Sequence, residues 1–284
     1  MPIWVAPLVM AATFLPLLAF ERLRPLRPAV EPKGRRFLRN AVVAAVAFAV
    51  LGLMQAPALG ALWRWMEEHE VGLLNRVNLP RGAEVLLAVL LLDYTLWHWH
   101  WLNHKVPLLW RFHLVHHVDR DLDASTALRF HFGEMALSVP YRLLQVVVIG
   151  ADAWSLGLWQ ALLLPSILFH HSNVRLPVRV ERVLVRLIVT PRMHGIHHSD
   201  YESETNSNWS SLLSAWDYLH GTALLGVPQR EITVGVPAYG RPEQLTLGAI
   251  LTLPFRRGRA DWIGPDGPKH ERPHPPEARR VLAA

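Results

Sequence analysis

The chain contains no cysteine. Disulfides, thiolate-ligated haem and iron–sulfur clusters are therefore excluded, and any redox chemistry has to use other ligands. Lysine is scarce, present only as Lys33, Lys105 and Lys269, so arginine carries nearly all of the positive charge. That bias points to a GC-rich, bacterial source. The sequence has no GxGxxG dinucleotide fingerprint, no HExxH hydrolase motif and no His-Pro-Gly-Gly haem segment. Charge itself is missing from long stretches. Residues 3–20 and 41–63 carry none, and residues 85–101 carry a single acid, Asp93.

Apolar runs of roughly 18–25 residues match the hydrocarbon thickness of a bilayer. A soluble core would instead spread its apolar residues with helical or strand periodicity. No basic residue precedes the first run and no small-x-small cleavage site follows it, so it reads as a span and not as a cleaved signal peptide. Two further apolar stretches, 136–150 and 153–169, are joined by Gly150, Ala151 and Asp152 and predict a helical hairpin. Pro140, Arg142 and Gln145 weaken its first arm toward an interfacial or re-entrant segment. The expected fold class is all-α, an integral membrane helical bundle.

The net charge of +6 is concentrated in Arg22, Arg24, Arg27, Lys33, Arg35, Arg36 and Arg39, between the first two spans. Basic connecting loops stay cytoplasmic, which puts the histidine-bearing ends of the later spans on the cytoplasmic side as well. A loop joining two spans is a poor nucleic-acid site, so no nucleic-acid partner is expected. Anionic head groups are the expected contacts of these arginines. A docking face for an electron donor is a second use for Arg35, Arg36 and the arginines of 178–192. Residues 178–190 alternate apolar positions with arginines and predict an amphipathic interfacial helix. From about residue 255 the proline, glycine and arginine content predicts poor order.

The chain has sixteen histidines, most of them in short clusters: His100-x-x-x-His104, His113-x-x-His116-His117, His170-His171 and His194-x-x-His197-His198. On a helix, positions i, i+3 and i+4 share one face. Neutral imidazole is a common ligand for iron, zinc and copper. The candidate ligands are His100, His104, His113, His116, His117, His171, His194, His197 and His198. One ion takes roughly three to six ligands, so this set suits two, held in a histidine-rich cap. Asp93, two turns before His100, is a candidate for orienting a ligand ring, because an acid inside a span is costly. Its other reading is a structural hydrogen bond to a neighbouring element. Asp119, Glu134, Asn173, Asp200, Asn208 and Asp217 are similar candidates.

Several segments together resemble the fatty acid hydroxylase / sterol desaturase superfamily, in order over about residues 85–222. They are Asp93-YTLWHW-His100-WLN-His104, LWRF-His113-LV-His116-His117, RF-His131-FGE, FH-His171-S-Asn173, PRM-His194-GI-His197-His198-S and Asn208-W…AW-Asp217-YLHGT. Trp101, Phe132-Gly133 and His220 depart from that pattern without removing a ligand position. The pattern supports His171 over His170 as ligand, and places His131 behind the ligands or among them, with the former preferred.

The resemblance implies a di-iron, O2-dependent membrane oxidoreductase of the monooxygenase type. It would hydroxylate or desaturate a fatty acyl, sterol or related lipid, with no catalytic side chain beyond the metal ligands. The implied cofactors are two iron ions, which zinc can replace on purification, with O2 as co-substrate. The implied partners are the lipid and a separate electron donor of ferredoxin or cytochrome type. Residues 1–82 are expected to form N-terminal transmembrane helices, 83–222 the catalytic domain, and 223–284 a partly disordered cytoplasmic tail. The expected location is a bacterial inner membrane, crossed several times, with the metal site facing the cytoplasm. The alternatives are a zinc-dependent membrane hydrolase, which nine histidines without HExxH argue against, and a metal-binding or transport protein. Transport would need ligands near the midplane of the spans.

Overall fold

Long helices form wherever the chain runs apolar and uncharged, because a segment in lipid must satisfy its own backbone hydrogen bonds. A computed structural model describes residues 5–69 and 71–272. Its long helices are α1 (Val5–Leu23), α2 (Lys33–His69), α3 (Arg81–Lys105), α4 (Pro107–His117), α5 (Phe132–Ile149) and α6 (Ala153–His171). Shorter helices α7 (Val178–Leu184), α8 (Pro191–His197), α9 (Glu202–Thr205), α10 (Ala215–Leu219) and α11 (Leu247–Thr252) follow. Among the described residues, four stretches are long and apolar enough to cross a membrane: Lys33–Arg76, Arg81–Lys105, Phe132–Ile149 and Ala153–His171. The expected first span corresponds to α1, apart from residues 3 and 4, which lie outside the described residues. Leu15, Leu53, Leu86, Leu144 and Leu162 project from the outer faces of these helices and are exposed. Water would not tolerate so wide an apolar surface, but lipid does. The protein is an all-α integral membrane bundle.

Within it, α2 packs along α5, α1 along α6, and α3 against both α5 and α6. Both arms of the α5–α6 hairpin are continuous helices long and apolar enough to cross a membrane. At its tip, Leu73 N donates to Val148 O at 2.9 Å and Trp63 Nε1 to Ala151 O at 3.1 Å. Asp152 there caps α6 by accepting from Ser155 N at 2.8 Å. Gly150 ends α5 in the left-handed region (φ 80°). Gly72 (φ 119°) touches it so closely that a Cβ on Gly72 would collide with the Gly150 backbone. The apolar core at this end gathers Leu59, Leu74, Leu92, Ile149 and Trp159.

The opposite end carries the histidines, and the basic segment lies there too. Three of its seven cations, Arg27, Arg36 and Arg39, are structural, which corrects their reading as head-group contacts, while Arg22, Arg24, Lys33 and Arg35 are exposed. Arg36 is 1% exposed and donates to Asp119 Oδ2 at 2.8 Å and to Thr126 Oγ1 at 3.1 Å. It also pairs with Asp123. Arg39 bonds Glu31 at 3.1 Å. Asn40 donates to Asp119 Oδ2 and accepts from Arg129 at 3.0 Å. These groups pair because the start of α2 is pressed against the 119–129 loop, where unpaired charge would be costly. Arg36 is therefore unavailable as a docking residue, whereas Arg35 is exposed.

Two other segments differ from expectation. The helix predicted over 178–190 is short, ending at Leu184. Val178, Val183 and Leu187 are exposed, as an interfacial segment requires, but Ile188 bridges to Leu213. Residues 223–272 pack on the cap and do not trail from it. Tyr239, Leu245 and Ile250 bury themselves against Leu114 and Val118. Asp261 accepts from Trp110 Nε1 at 2.9 Å, and Lys269 and Arg272 pair with Asp200 and Glu204. Proline and glycine suggested disorder here, but regularly spaced apolar residues anchor the segment. Residues 273–284 lie outside the described residues.

Candidate metal centre

Four helix ends deliver the nine histidines, and the structure sorts them into two groups. His100, His104, His113, His117 and His197 form one; His116, His171, His194 and His198 form the other. Within each group the available ligand atoms all lie within 4.8 Å of one another. The grouping cuts across the sequence clusters. Successive helical residues point about 100° apart, so His116 and His117 aim at different groups, as do His197 and His198. The i, i+4 pairs stay together: His100 with His104, His113 with His117, His194 with His198. The groups adjoin, with the rings of His117 and His198 stacked at 4.4 Å between centroids. His170 and His131 belong to neither group.

The ring nitrogens fit a metal. In the second group, His171 Nε2 is 3.0 Å from His116 Nε2 and 3.0 Å from His194 Nε2, which is 3.1 Å from His198 Nε2. In the first, His113 and His117 Nε2 are 3.2 Å apart. Ligands bonded at about 2.0–2.1 Å to one ion stand roughly 3 Å from one another. His100 Nε2, His197 Nε2 and both nitrogens of His104 are buried without a hydrogen-bond partner among the described residues, which a metal ion would relieve. Burial first, then the crowding of neighbouring rings, pushes the imidazolium forms of His116, His117, His194 and His198 well below their usual range. Burial likewise takes His197 to about 3. Neutral imidazoles are the form that ligates metal.

Four rings are oriented through Nδ1, which leaves Nε2 for the centre. His100 donates to Trp209 O at 2.8 Å, His171 to Ile167 O at 2.8 Å and His197 to Ser207 O at 2.7 Å. His113 donates to Glu134 Oε1 at 2.9 Å. Glu134 is thus the one expected orienting carboxylate that touches a ligand ring. Removing its charge by Glu134→Gln is expected to weaken metal binding or turnover by about 10–100-fold. Metal titration of the purified variant checks this, and an unchanged affinity and rate would separate Glu134 from the centre.

The other candidates stand further back. Asp93 accepts from Leu213 N at 3.1 Å and Trp216 Nε1 at 2.7 Å, so it anchors the 209–216 loop and touches no ligand ring. Asp217 accepts from Trp97 Nε1, from Trp209 N and from Ser210 N at 2.9–3.0 Å. It acts one step removed, by holding the Trp209 carbonyl that faces His100. Asn208, in the left-handed region (φ 54°), ties Met193 O to the 222–224 strand of chain. Asn173 bonds the Arg27 backbone in both directions, and Asp200 pairs with Lys269. His131 caps α5, accepting from Gly133 N at 2.9 Å and donating to Leu251 O at 3.1 Å. The Trp209, Ile167 and Ser207 carbonyls escape sequence reasoning because a backbone acceptor leaves no residue signature.

A cavity of about 500 Å³ leads from within the bundle to these rings. Its walls include Leu96, Trp99, Met135, Leu163, Leu164 and Ile167, and it reaches His100 and His113 of one group and His116, His171 and His194 of the other.

Residues 85–222, which carry all nine histidines, match the family model described as fatty acid hydroxylase. The chain is a member of the fatty acid hydroxylase superfamily. Among its superfamily relatives, it is 31% identical to the ornithine lipid hydroxylase of Rhizobium tropici over 187 residues, 65% of this chain and 54% of that protein. It is 28% identical to the cholesterol 25-hydroxylase of Mus musculus over 142 residues, 49% of this chain and 46% of that protein. With the alkylglycerol monooxygenase of Xenopus tropicalis the identity is 27%, over 51% of this chain and 31% of that protein. The chain thus spans about half the length of the first two relatives and a third of the last. No solved structure matches it.

Proposed function

We propose that this chain is a di-iron, O2-dependent lipid hydroxylase. The observation that carries the reading is the apolar cavity inside a membrane bundle that ends on two adjoining groups of inward-facing histidines. His100, His104, His113, His117 and His197 would hold one iron, and His116, His171, His194 and His198 the other. Bound there, the two ions would supply the reduction of O2 and the oxidation of an unactivated C–H bond. The balance is one lipid C–H, one O2, two electrons and two protons giving one alcohol and one water.

The chain's own part is placement. The cavity takes the acyl or ring system of a lipid directly from the bilayer, and its walls hold one carbon against the histidine end while excluding water. Glu134 fixes the His113 ring. Relatives named as hydroxylases and monooxygenases favour oxygen insertion over desaturation. The exposed Arg22, Arg24 and Arg35 beside the histidine end support a cytoplasmic orientation, in the inner membrane of a bacterium. The electrons come from a separate protein of ferredoxin or cytochrome type.

Lipid extracts from cells with and without the gene test this. A new species heavier by one oxygen, labelled when the O2 supplied is isotopically heavy, is the expected result. An unchanged lipid profile in cells that hold the iron-loaded protein and a working reductase system would sink the proposal.

A further inference from the structure

Arg142 stands in the middle of α5, inside a membrane-crossing helix. It is eight residues beyond Glu134, or about 12 Å along the helix from the residue that holds His113. Its guanidinium lies over the face of Trp159, 4.4 Å from the ring centroid, and donates to Gln145 Oε1 at 2.7 Å. Gln145 is itself held by donating to Thr95 Oγ1 at 2.6 Å. The cation is therefore turned into the bundle and fixed there, lining the same cavity that ends at the histidines. Among the described residues the only carboxylate on that wall is Glu134, already bonded to His113. Among the described residues Arg142 has no carboxylate partner of its own; its side-chain partners are a neutral amide and an indole ring.

A charge within a bilayer is costly, and such residues pair with a counter-charge or serve a ligand. A guanidinium offers parallel N–H donors that match a carboxylate or a phosphate. We propose that Arg142 docks an oxyanion carried by the lipid substrate, which brings the counter-charge that the protein does not provide. The inference rests on the lipid-oxidation reading and narrows it. The substrate is an amphiphile with an acidic end, and the oxidised carbon lies on the order of 12 Å from that end, well down the chain.

The test is equilibrium binding of palmitate, hexadecyl phosphate and hexadecanol to the purified full chain in neutral lipid nanodiscs. One of the two anions is expected to bind about 10- to 100-fold tighter than the alcohol; which one does so distinguishes a carboxylate from a phosphate. Arg142→Gln should bring that anion down to the affinity of the alcohol and leave the alcohol unchanged, while Arg142→Lys keeps part of the preference. Equal binding of all three by the wild type overturns the docking role and leaves lipid oxidation standing. A preference that survives Arg142→Gln, or an equal loss of alcohol and anion in that variant, does the same. If Arg142→Gln fails to fold, the wild-type comparison decides alone. Failure of the wild type to bind any of the three overturns the lipid-cavity reading along with the docking role.

Discussion

His197→Ala is expected to lose one of two bound irons and to yield no detectable hydroxylated lipid. His197 belongs to the five-membered group, and its Nε2 is buried with no hydrogen-bond partner among the described residues, while its Nδ1 is fixed on Ser207 O. The ring is therefore committed to the centre and has nothing else to bond. Losing a residue that merely orients a ligand costs about 10–100-fold, and losing the ligand itself should exceed that. His171→Ala should empty the other group in the same way, because its Nε2 faces both His116 and His194. His131→Ala is the contrasting variant. It removes a helix cap and leaves both groups intact, so it should keep its iron. Iron content measured on each purified protein beside product formation makes the comparison. Full iron and full turnover in His197→Ala would dismiss the assignment of that residue.

The second large effect belongs to stability. Arg36→Ala should cost about 3–5 kcal/mol, because it strands buried carboxylates that the guanidinium now neutralises. The neighbouring exposed Arg35→Ala should stay within about 0.5 kcal/mol. Thermal unfolding of the two variants in detergent separates them. Similar melting of both would show that the Arg36 cluster contributes nothing to the fold. The same cluster sets an acid limit. Burial alone would raise the Asp119 carboxyl, but Arg36, then Arg129 and Arg39, outweigh it and hold it at about 2. A depressed carboxylate stabilises the fold above its unfolded value near 3.9 and loses that contribution only as the pH falls through about 2.

Much of the protein was legible because its signals are local. An uncharged run such as 41–63 is a span wherever it occurs, since lipid offers the backbone no other partner. The spacing of His113, His116 and His117 announces ligands because helical geometry alone puts three imidazoles on one side of a turn. Other residues were misread because local sequence is mute about what faces them. Arg36 reads as a surface cation until Asp119 and Asp123, more than eighty residues away, close around it. Asp93 left two readings open, and the structure gives the structural one, its carboxylate turning to Trp216. Residues 255–272 read as disordered by composition, and only Trp110 and the α4 core give them a place to fold. Arg142 reads as a flaw in a span until the cavity beside it is seen.

By itself the sequence determined the membrane class, the order of the spans, the nine histidines and the family, because each depends on spacing along one chain and on the cost of charge in lipid. Only the tertiary structure decided how those histidines divide, five and four. Adjacent imidazoles diverge by about 100° around a helix, and which group each one joins depends on the rings that the other three helix ends bring to meet it.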